Sequence, residues 1–401
     1  MITMLQSLSF SNKMLHRSTF LMPVLKISLN STLMRHLSST QQLSPQPALP
    51  QRTGGRHTVS FIGAPVNLGQ RLSGASAGPH ALREYGNLET SATAMGWRWS
   101  DRGDVGVSTT SSSTGSTGSG DDSIAAVAVG TPRNAAEVGD ACAAIFNECK
   151  AAALAGDFVL CVGGDHSAAA GSVAAALKVR PDVGVVWVDA HADLNSPHSS
   201  PSGNMHGMPV SLLLGRCGPP AAFGRAWNWL LGPGSPRLSP RALVYVGLRD
   251  LDAGEVIAIR ELGVLAFTMA DVDRLGIAKV AKAVEKHLKG RPIHLSFDVD
   301  AVDPSVITAT GTPSPGGLSY REAHYLCEEL AATRRLCSMD LVEVNPELGL
   351  GGVCGKVTVA GANTARAAAS FVLSALGKTT LPPIEKGTKN NNNNNSSSSS
   401  V

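Results

Sequence analysis

Short apolar runs alternate with longer amphipathic segments along most of the chain. The runs at 158–162 and 183–188 are apolar throughout, which is typical of strands buried on both faces of a sheet. Residues 134–155 instead place apolar side chains at helical spacing, on a face that holds Val138, Cys142, Ile145, Cys149 and Ala152. The pattern therefore predicts strands and helices in alternation.

The whole pattern predicts eight strands separated by helices. The predicted strands are 57–64, 97–105, 158–162, 184–189, 243–248, 264–268, 293–298 and 337–342. The predicted helices are 79–84, 134–155, 167–178, 209–214, 253–262, 276–289, 320–334 and 358–376. Apolar strands separated by helices indicate an α/β fold with a parallel sheet covered on both faces. Ligands of such sheets bind at the carboxyl ends of the strands.

Histidine and aspartate residues, which can bind metal ions, stand at the carboxyl ends of three predicted strands. They are His166 after strand 158–162, Asp189, His191 and Asp193 at the end of strand 184–189, and Asp298 and Asp300 at the end of strand 293–298. Residues two apart in extended backbone share a side and can converge on one point. Four carboxylates and two imidazoles exceed what one zinc ion usually takes, and oxygen-rich ligation favours a cation such as Mn²⁺. The set therefore indicates two ions with bridging carboxylates.

Ordinary turn and capping chemistry is the alternative interpretation of these residues. Asp165 or Ser167 could cap the helix that follows strand 158–162, and Asp303 before Pro304 is typical of a turn. Three strand ends with metal-compatible spacing are not explained by three independent caps, so we favour the metal site.

Three motifs resemble the signatures of the ureohydrolase family, which includes arginases and agmatinases. They are the GGDHS sequence at 163–167, DAHAD at 189–193 and SFDVD at 296–300. The similarity extends from about residue 57 to about residue 376 and implies a three-layer α/β/α fold with a dinuclear manganese centre. It assigns one Mn²⁺ to His166, Asp189, Asp193 and Asp298, and the other to His191, Asp189, Asp298 and Asp300. The resemblance also implies that a metal-bridging hydroxide attacks the guanidinium carbon, with Asp193 accepting a hydrogen bond from that hydroxide.

The segment at 194–207 decides the expected substrate. It resembles the loop with which animal and fungal arginases grip the α-carboxylate of an amino acid, and the resemblance assigns that contact to Asn195, Ser202 and Asn204. It also implies that His206 shuttles a proton, that Asp252 and Glu255 bind the α-ammonium, and that Glu343 and Thr312 lie at the guanidinium. Asp252 could equally cap the helix after it.

The resemblance therefore implies hydrolysis of L-arginine to L-ornithine and urea. An agmatinase, or a ureohydrolase of another guanidino acid, is the alternative within the same family. A non-catalytic arginine-binding regulatory protein would normally lose metal ligands, whereas all six positions are filled here. A zinc deacetylase-like site would need fewer ligands and would not explain a second ion.

Composition adds expectations about organisation and location. Residues 1–56 contain six basic residues and no acidic residue, which is typical of a mitochondrial transit peptide, with a plastid or cytoplasmic location as alternatives. The catalytic domain is expected at 57–380, with a flexible Ser/Thr/Gly insertion at about 107–122 and a disordered Asn/Ser-rich tail at 381–401. The net charge of +3 and the apolar runs, all well short of a bilayer span, predict no nucleic acid or membrane partner.

Two further features concern the thiols and the assembly. The chain has seven cysteines without a CxxC pair, which indicates reduced thiols. The segment Tyr320, Arg321 and Glu322 resembles a trimer contact of animal arginases, so we expect a homotrimer or homohexamer. An exposed helix start is the alternative for that segment.

Overall fold

The computed structural model describes residues 57–106, 130–218, 220–349, 353 and 355–381. The predicted transit peptide at 1–56 and the predicted insertion at about 107–122 lie outside the described residues. The same holds for the predicted Asn/Ser-rich tail apart from Leu381. The assignments of these three segments therefore remain predictions from the sequence.

Within the residues that the structure describes, a single sheet of eight parallel strands forms the centre of the fold. The strands are β1 (Thr58–Ala64), β2 (Arg98–Asp104), β3 (Phe158–Gly163), β4 (Gly184–Val188), β5 (Leu243–Leu248), β6 (Leu265–Thr268), β7 (Ile293–Asp298) and β8 (Leu336–Val342). Their order across the sheet is β2-β1-β3-β8-β7-β4-β5-β6. This order places β3, β8, β7, β4 and β5 next to one another, so their carboxyl ends form one continuous edge.

Helices connect the strands. They are α1 (Gly78–Tyr85), α2 (Leu88–Ala94), α3 (Ala135–Leu154), α4 (Ala169–Val179), α5 (Pro209–Leu214), α6 (Asn228–Leu231), α7 (Ala253–Leu262), α8 (Met269–Leu275), α9 (Ile277–His287), α10 (Tyr320–Ala332) and α11 (Val359–Ala375). In the described part of the chain, no helix is both long and apolar enough to cross a membrane.

Side chains that alternate along β4 belong to two different hydrophobic cores, one on each face of the sheet. On β4, Val186 and Val188 belong to a core shared with α9, α10 and α11. Val185 and Trp187 of the same strand belong to a core shared with α4 and α5. All five residues of β4 are buried, as expected for a strand covered on both sides. The predicted three-layer α/β/α fold with about eight strands is thus confirmed.

The helix prediction was incomplete in three places, because α2, α6 and α8 were not predicted. Helix α6 has only four residues, too few to show a period of 3.6. Helices α8 and α9 are separated by Gly276, whose φ of 79° ends the first helix. Thr268 caps α8 through its side chain, which is a local signal that sequence inspection could have used. The other predicted bounds differ by a few residues at most.

Candidate metal centre and substrate pocket

The predicted site residues lie along the edge formed by five adjacent strands. Asp165 and His166 follow β3, the group from Asp189 to Asp193 follows β4, Asp252 follows β5, Asp298 and Asp300 follow β7, and Glu343 follows β8. Asp165 caps the short 3₁₀ helix His166–Ala168, because its carboxylate accepts a hydrogen bond from Ser167 N. The capping interpretation of Asp165 is therefore confirmed. Asp303 likewise accepts hydrogen bonds from the backbone N–H groups of Ser305 and Gly316, in agreement with turn chemistry.

His166 Nδ1 is surrounded by three carboxylate oxygens. It lies 2.9 Å from Asp193 Oδ2 and 3.1 Å from both Asp189 Oδ2 and Asp298 Oδ2. His166 Nδ1 and Asp193 Oδ2 are nevertheless buried without a hydrogen-bond partner of acceptable geometry among the described residues. Such orphaned atoms call for an explanation, and a cation between them satisfies the imidazole and the carboxylates together.

A second group overlaps the first through Asp189. His191 Nδ1 lies 3.1 Å from Asp300 Oδ2 and 3.4 Å from Asp189 Oδ1. The ligand atoms of His166, Asp189 and Asp298 form one cluster compatible with a metal ion, and those of Asp189, His191 and Asp300 form the other. Asp189 therefore has one oxygen turned towards each histidine, as a bridging carboxylate requires. Asp298, the second predicted bridge, belongs to the first cluster only.

Neighbouring groups hold these ligands in place. Trp187 Nε1 donates to Asp189 Oδ2 over 2.9 Å, and its indole ring stacks on the His166 imidazole with 4.2 Å between ring centroids. The backbone N–H of Asp300 donates to Asp298 Oδ1 over 2.8 Å. Thr312 Oγ1 donates to Asp300 Oδ2 over 2.9 Å. Ligands that are oriented in advance in this way favour metal binding.

The buried carboxylates of the cluster favour the binding of a cation. Burial raises the pKa values of Asp298 and Asp300, and it raises the pKa of Asp193 to about 6. Burial lowers the pKa of His166, but the carboxylates around it, led by Asp193, raise that pKa well above its usual value. Protons and metal ions compete for these ligands. Four carboxylates with two imidazoles exceed the ligand set of one tetrahedral Zn²⁺ and fit two metal ions.

A cavity of about 220 Å³ opens onto the cluster. Ten of the fourteen predicted site residues line it, namely His166, His191, Asp193, Asn195, Ser202, His206, Asp252, Glu255, Asp298 and Thr312. Asp189 and Asp300 are fully buried behind it. Glu343 and Asn204 do not line this cavity. The size suits a single small molecule rather than a polymer.

One end of the cavity is formed by the loop after β4 and the start of α7. Asn195 Nδ2 donates to Asp252 Oδ2 over 2.8 Å. Asp252 is the N-cap residue of α7, and its own N–H donates to Glu255 Oε2 over 3.0 Å. Leu194 N donates to Glu255 Oε1 over 3.0 Å, and burial raises the pKa of Glu255 to about 7. Asp252 thus both caps the helix and faces the cavity.

Arg133 and Gly130 donate hydrogen bonds to backbone carbonyls of the same loop. Arg133 Nε donates to Ser202 O over 2.9 Å, and Arg133 N donates to Gly203 O over 2.8 Å. Gly130 N donates to Pro197 O over 3.1 Å. We did not predict these supports, because a hydrogen bond to a loop carbonyl leaves no periodic signal in the sequence.

Glu343 is held by three donors next to the metal cluster. Its Oε1 accepts from His166 N over 3.0 Å and lies 3.1 Å from His206 Nδ1. Its Oε2 accepts from Gln70 Nε2 over 2.9 Å. Glu343 has a φ of +64° and Asp193 a φ of +51°, in the left-handed region that residues other than glycine adopt uncommonly. Gln70, which lies in a loop without secondary structure, was not predicted.

Comparison with known proteins agrees with this geometry. A sequence profile described as the arginase family matches residues 57–377. The chain belongs to the arginase family. The family membership predicted from the three motifs is thereby confirmed.

Proteins named arginase are similar to this chain over most of their own length. The hepatic arginase of Aquarana catesbeiana is 39% identical over 326 residues, which are 80% of this chain and 94% of that protein. Arginase-1 of Homo sapiens is 41% identical over 295 residues, which are 73% of this chain and 86% of that protein. The solved structure of the arginase from Bacillus caldovelox superposes with a TM-score of 0.69 at 34% identity, over 81% of this chain and all of that chain.

Proposed function

We propose that this protein hydrolyses L-arginine to L-ornithine and urea at a dinuclear manganese centre. The observation that carries the proposal is the pair of overlapping His/Asp clusters that share Asp189 at the end of a cavity sized for one amino acid. The relatives named arginase support the same substrate.

The ligands of the two proposed ions are those predicted from the motifs. His166, Asp189, Asp193 and Asp298 would hold one ion, and Asp189, His191, Asp298 and Asp300 the other. When bound, such a pair of ions supplies Lewis acidity and lowers the pKa of coordinated water to near neutrality. The choice of Mn²⁺ rests on the oxygen-rich ligand set, and a titration with competing divalent cations tests it.

The carboxylates of the site would orient the guanidinium group of the substrate. A planar cation pairs well with carboxylates, and Asp193 and Asp298 both line the cavity. Thr312, which also lines it, would position the guanidinium from the loop between β7 and α10. Glu343 is buried behind His206, so its negative charge would act on the guanidinium mainly through the electrostatic field of the site.

The other end of the cavity offers partners for an amino acid. Asn195, Ser202 and Asn204 would bind the α-carboxylate, and Asp252 would bind the α-ammonium with Glu255 in support. The Asn195–Asp252 hydrogen bond places a donor and an acceptor side by side, which is what a zwitterion needs. Asn204 does not line the cavity, so the contribution of Asn204 is expected to be smaller.

His206 is the proposed proton donor for the leaving amine. Its Nδ1 is engaged with Glu343 Oε1, and the opposite ring nitrogen, Nε2, is then available to a molecule in the cavity that His206 lines. Burial lowers the pKa of His206, but the hydrogen bond with Glu343 raises that pKa to about 9, so the imidazole carries a proton at neutral pH that it can donate.

Isotope tracing tests the reaction. Protein incubated with MnCl₂ and L-arginine labelled with ¹³C at the guanidino carbon should release all the label as urea, with one equivalent of ornithine. An Asp298→Asn variant should release none. Label that stays in the amino acid fraction would contradict the proposal.

Two further proposals concern the assembly and the location of the protein. We propose a homotrimer or homohexamer, because Tyr320 at the start of α10 is 43% exposed and its segment resembles a subunit contact. Light scattering on the purified protein tests this.

We propose a mitochondrial location from the composition of residues 1–56. An import assay with and without that segment tests this proposal.

A further inference from the structure

The outer nitrogen of His166 begins a buried chain of hydrogen bonds that ends at a carboxylate. His166 Nε2 lies 2.9 Å from Ser296 Oγ, and Ser296 Oγ donates to Asp340 Oδ1 over 2.6 Å. Ser296 is on β7 and Asp340 on the neighbouring strand β8, and the two residues are paired in the sheet. All three side chains are at most 1% exposed.

Asp340 is surrounded by further donors. Ser172 Oγ donates to its Oδ2 over 2.7 Å, and His294 Nε2 lies 2.7 Å from the same oxygen. Burial raises the pKa of Asp340, but the hydrogen bonds from His294 and Ser296 hold it below its usual value. An ionised carboxylate accepts hydrogen bonds and donates none. Asp340 therefore takes the only hydroxyl proton of Ser296.

We propose that Asp340 is a positioning residue that fixes the tautomer of His166 through Ser296. Since the Ser296 proton points to Asp340, the Ser296 oxygen can only accept from His166 Nε2–H. The neutral imidazole then carries its lone pair on Nδ1, the atom that faces Asp189, Asp193 and Asp298. A metal ion binds the unprotonated nitrogen. Asp340 therefore prepares His166 as a ligand although the two residues are linked only through Ser296.

Among the described residues, none gives His191, the other histidine of the centre, comparable support. The nearest carboxylate to His191 Nε2 is that of Asp250, 3.7 Å away, and the Asp250 side chain is 69% exposed. His191 itself is 26% exposed, whereas His166 is also fixed by its stacking on Trp187. The inference therefore predicts an asymmetry, in which loss of Asp340 weakens the ion at His166 and spares the ion at His191.

The inference rests on the proposed function only for the metal centre and not for the substrate. The test is calorimetric titration of metal-free protein with MnCl₂, comparing wild type with Asp340→Asn. The new amide can donate to Ser296, which turns the hydroxyl towards His166 Nε2 and favours a proton on Nδ1. We expect one of the two ions to bind about 10- to 100-fold more weakly and the other within about threefold of wild type.

Two more variants separate positioning from a general structural role. Ser172→Ala removes a different donor from Asp340, and both affinities should stay within about threefold of wild type. Ser296→Ala should weaken the same ion as Asp340→Asn, and the double variant should add little to the Ser296→Ala effect, since both act through one relay. Ser296→Ala leaves Asp340 with two donors, so it carries the test if Asp340→Asn does not fold.

Each outcome decides the inference. Wild-type affinities in Ser296→Ala, equal weakening of both ions, or additive effects in the double variant would overturn it. Selective loss of one ion in Asp340→Asn would uphold the role of Asp340 even if the wild type released no urea from arginine. The second result alone would reject the proposed substrate.

Discussion

Asn195 Nδ2 donates a hydrogen bond to Asp252 Oδ2 over 2.8 Å, joining the loop after β4 to the N-cap residue of α7. The bond fixes a hydrogen-bonding amide beside a carboxylate in the cavity that both residues line. A substrate with both an α-carboxylate and an α-ammonium can use both groups, whereas an amine without the carboxylate can use only one. We therefore propose this pair as the physical basis of a preference for arginine over agmatine.

Asp252→Asn should weaken the binding of arginine far more than that of agmatine. The change removes the charge that would meet the α-ammonium and leaves the metal ligands untouched. We expect KM for L-arginine to rise about 10- to 100-fold, equivalent to about 1.4–2.7 kcal/mol, with a smaller change in kcat. Steady-state kinetics measure both, and Glu261→Gln on the exposed face of α7 is the matched control. An equal loss of metal content in both variants would point to damage of the fold instead.

Arg133→Ala tests whether the loop must be held from behind. The Arg133 side chain donates one hydrogen bond to the Ser202 carbonyl, and such a bond contributes about 1 kcal/mol. We therefore expect KM for arginine to rise about fivefold, while the affinity for Mn²⁺ stays as in wild type. The exposed Arg225, replaced by alanine, serves as the control. Unchanged KM in Arg133→Ala would show that the backbone contacts hold the loop alone.

His206 should make the stability of the metal-free protein depend on pH. Burial lowers the pKa of His206, but its hydrogen bond with Glu343 raises that pKa from 6.5 to about 9. Protonated His206 therefore stabilises the folded state fully below pH 6.5, and the contribution is lost as the pH rises towards 9. In a chelator, the difference in free energy of unfolding between wild type and His206→Asn should shrink over this range by up to about 3 kcal/mol.

A Glu343→Gln background provides the control for the His206 prediction. The same histidine substitution should then give a difference that varies little with pH, because the charged partner is gone. A pH dependence that persists in that background would assign the effect to another group.

Mn²⁺ should raise the thermal stability of the protein by binding only the folded clusters. Free Mn²⁺ at about 100 times its dissociation constant stabilises the folded state by about 2.7 kcal/mol per site. Calorimetric scans at several MnCl₂ concentrations should show Tm rising with the logarithm of concentration. In Asp298→Asn, which loses a carboxylate beside His166, the rise should be smaller. A Tm that does not respond to Mn²⁺ in wild type would remove the metal centre from the account.

The fold and the ligand positions could be predicted because both leave short-range signals. Apolar runs such as β4, followed directly by Asp189 and His191, encode a strand and its functional end in the same few residues. Parallel strands then bring their carboxyl ends together, so Asp298 meets His166 although 132 positions separate them in the chain. The pattern requires no detailed knowledge of side-chain packing.

The supporting residues could not be predicted because they depend on contacts between distant segments. Gln70 reaches Glu343 across the fold, and Arg133 reaches a carbonyl of the substrate loop. Ser296 stands within the third motif, yet its role becomes visible only when β8 places Asp340 beside it. Helix α6 was missed for a different reason, since four residues are too few to show a period.

Urea release from L-arginine and from agmatine, measured on the same protein preincubated with Mn²⁺, tests the central claim most directly. The account predicts rapid release from arginine and little from agmatine, because only arginine engages Asn195 and Ser202 as well as Asp252. Faster release from agmatine would keep the metal chemistry and contradict the proposed role of the loop. No release from either substrate would contradict the proposed reaction.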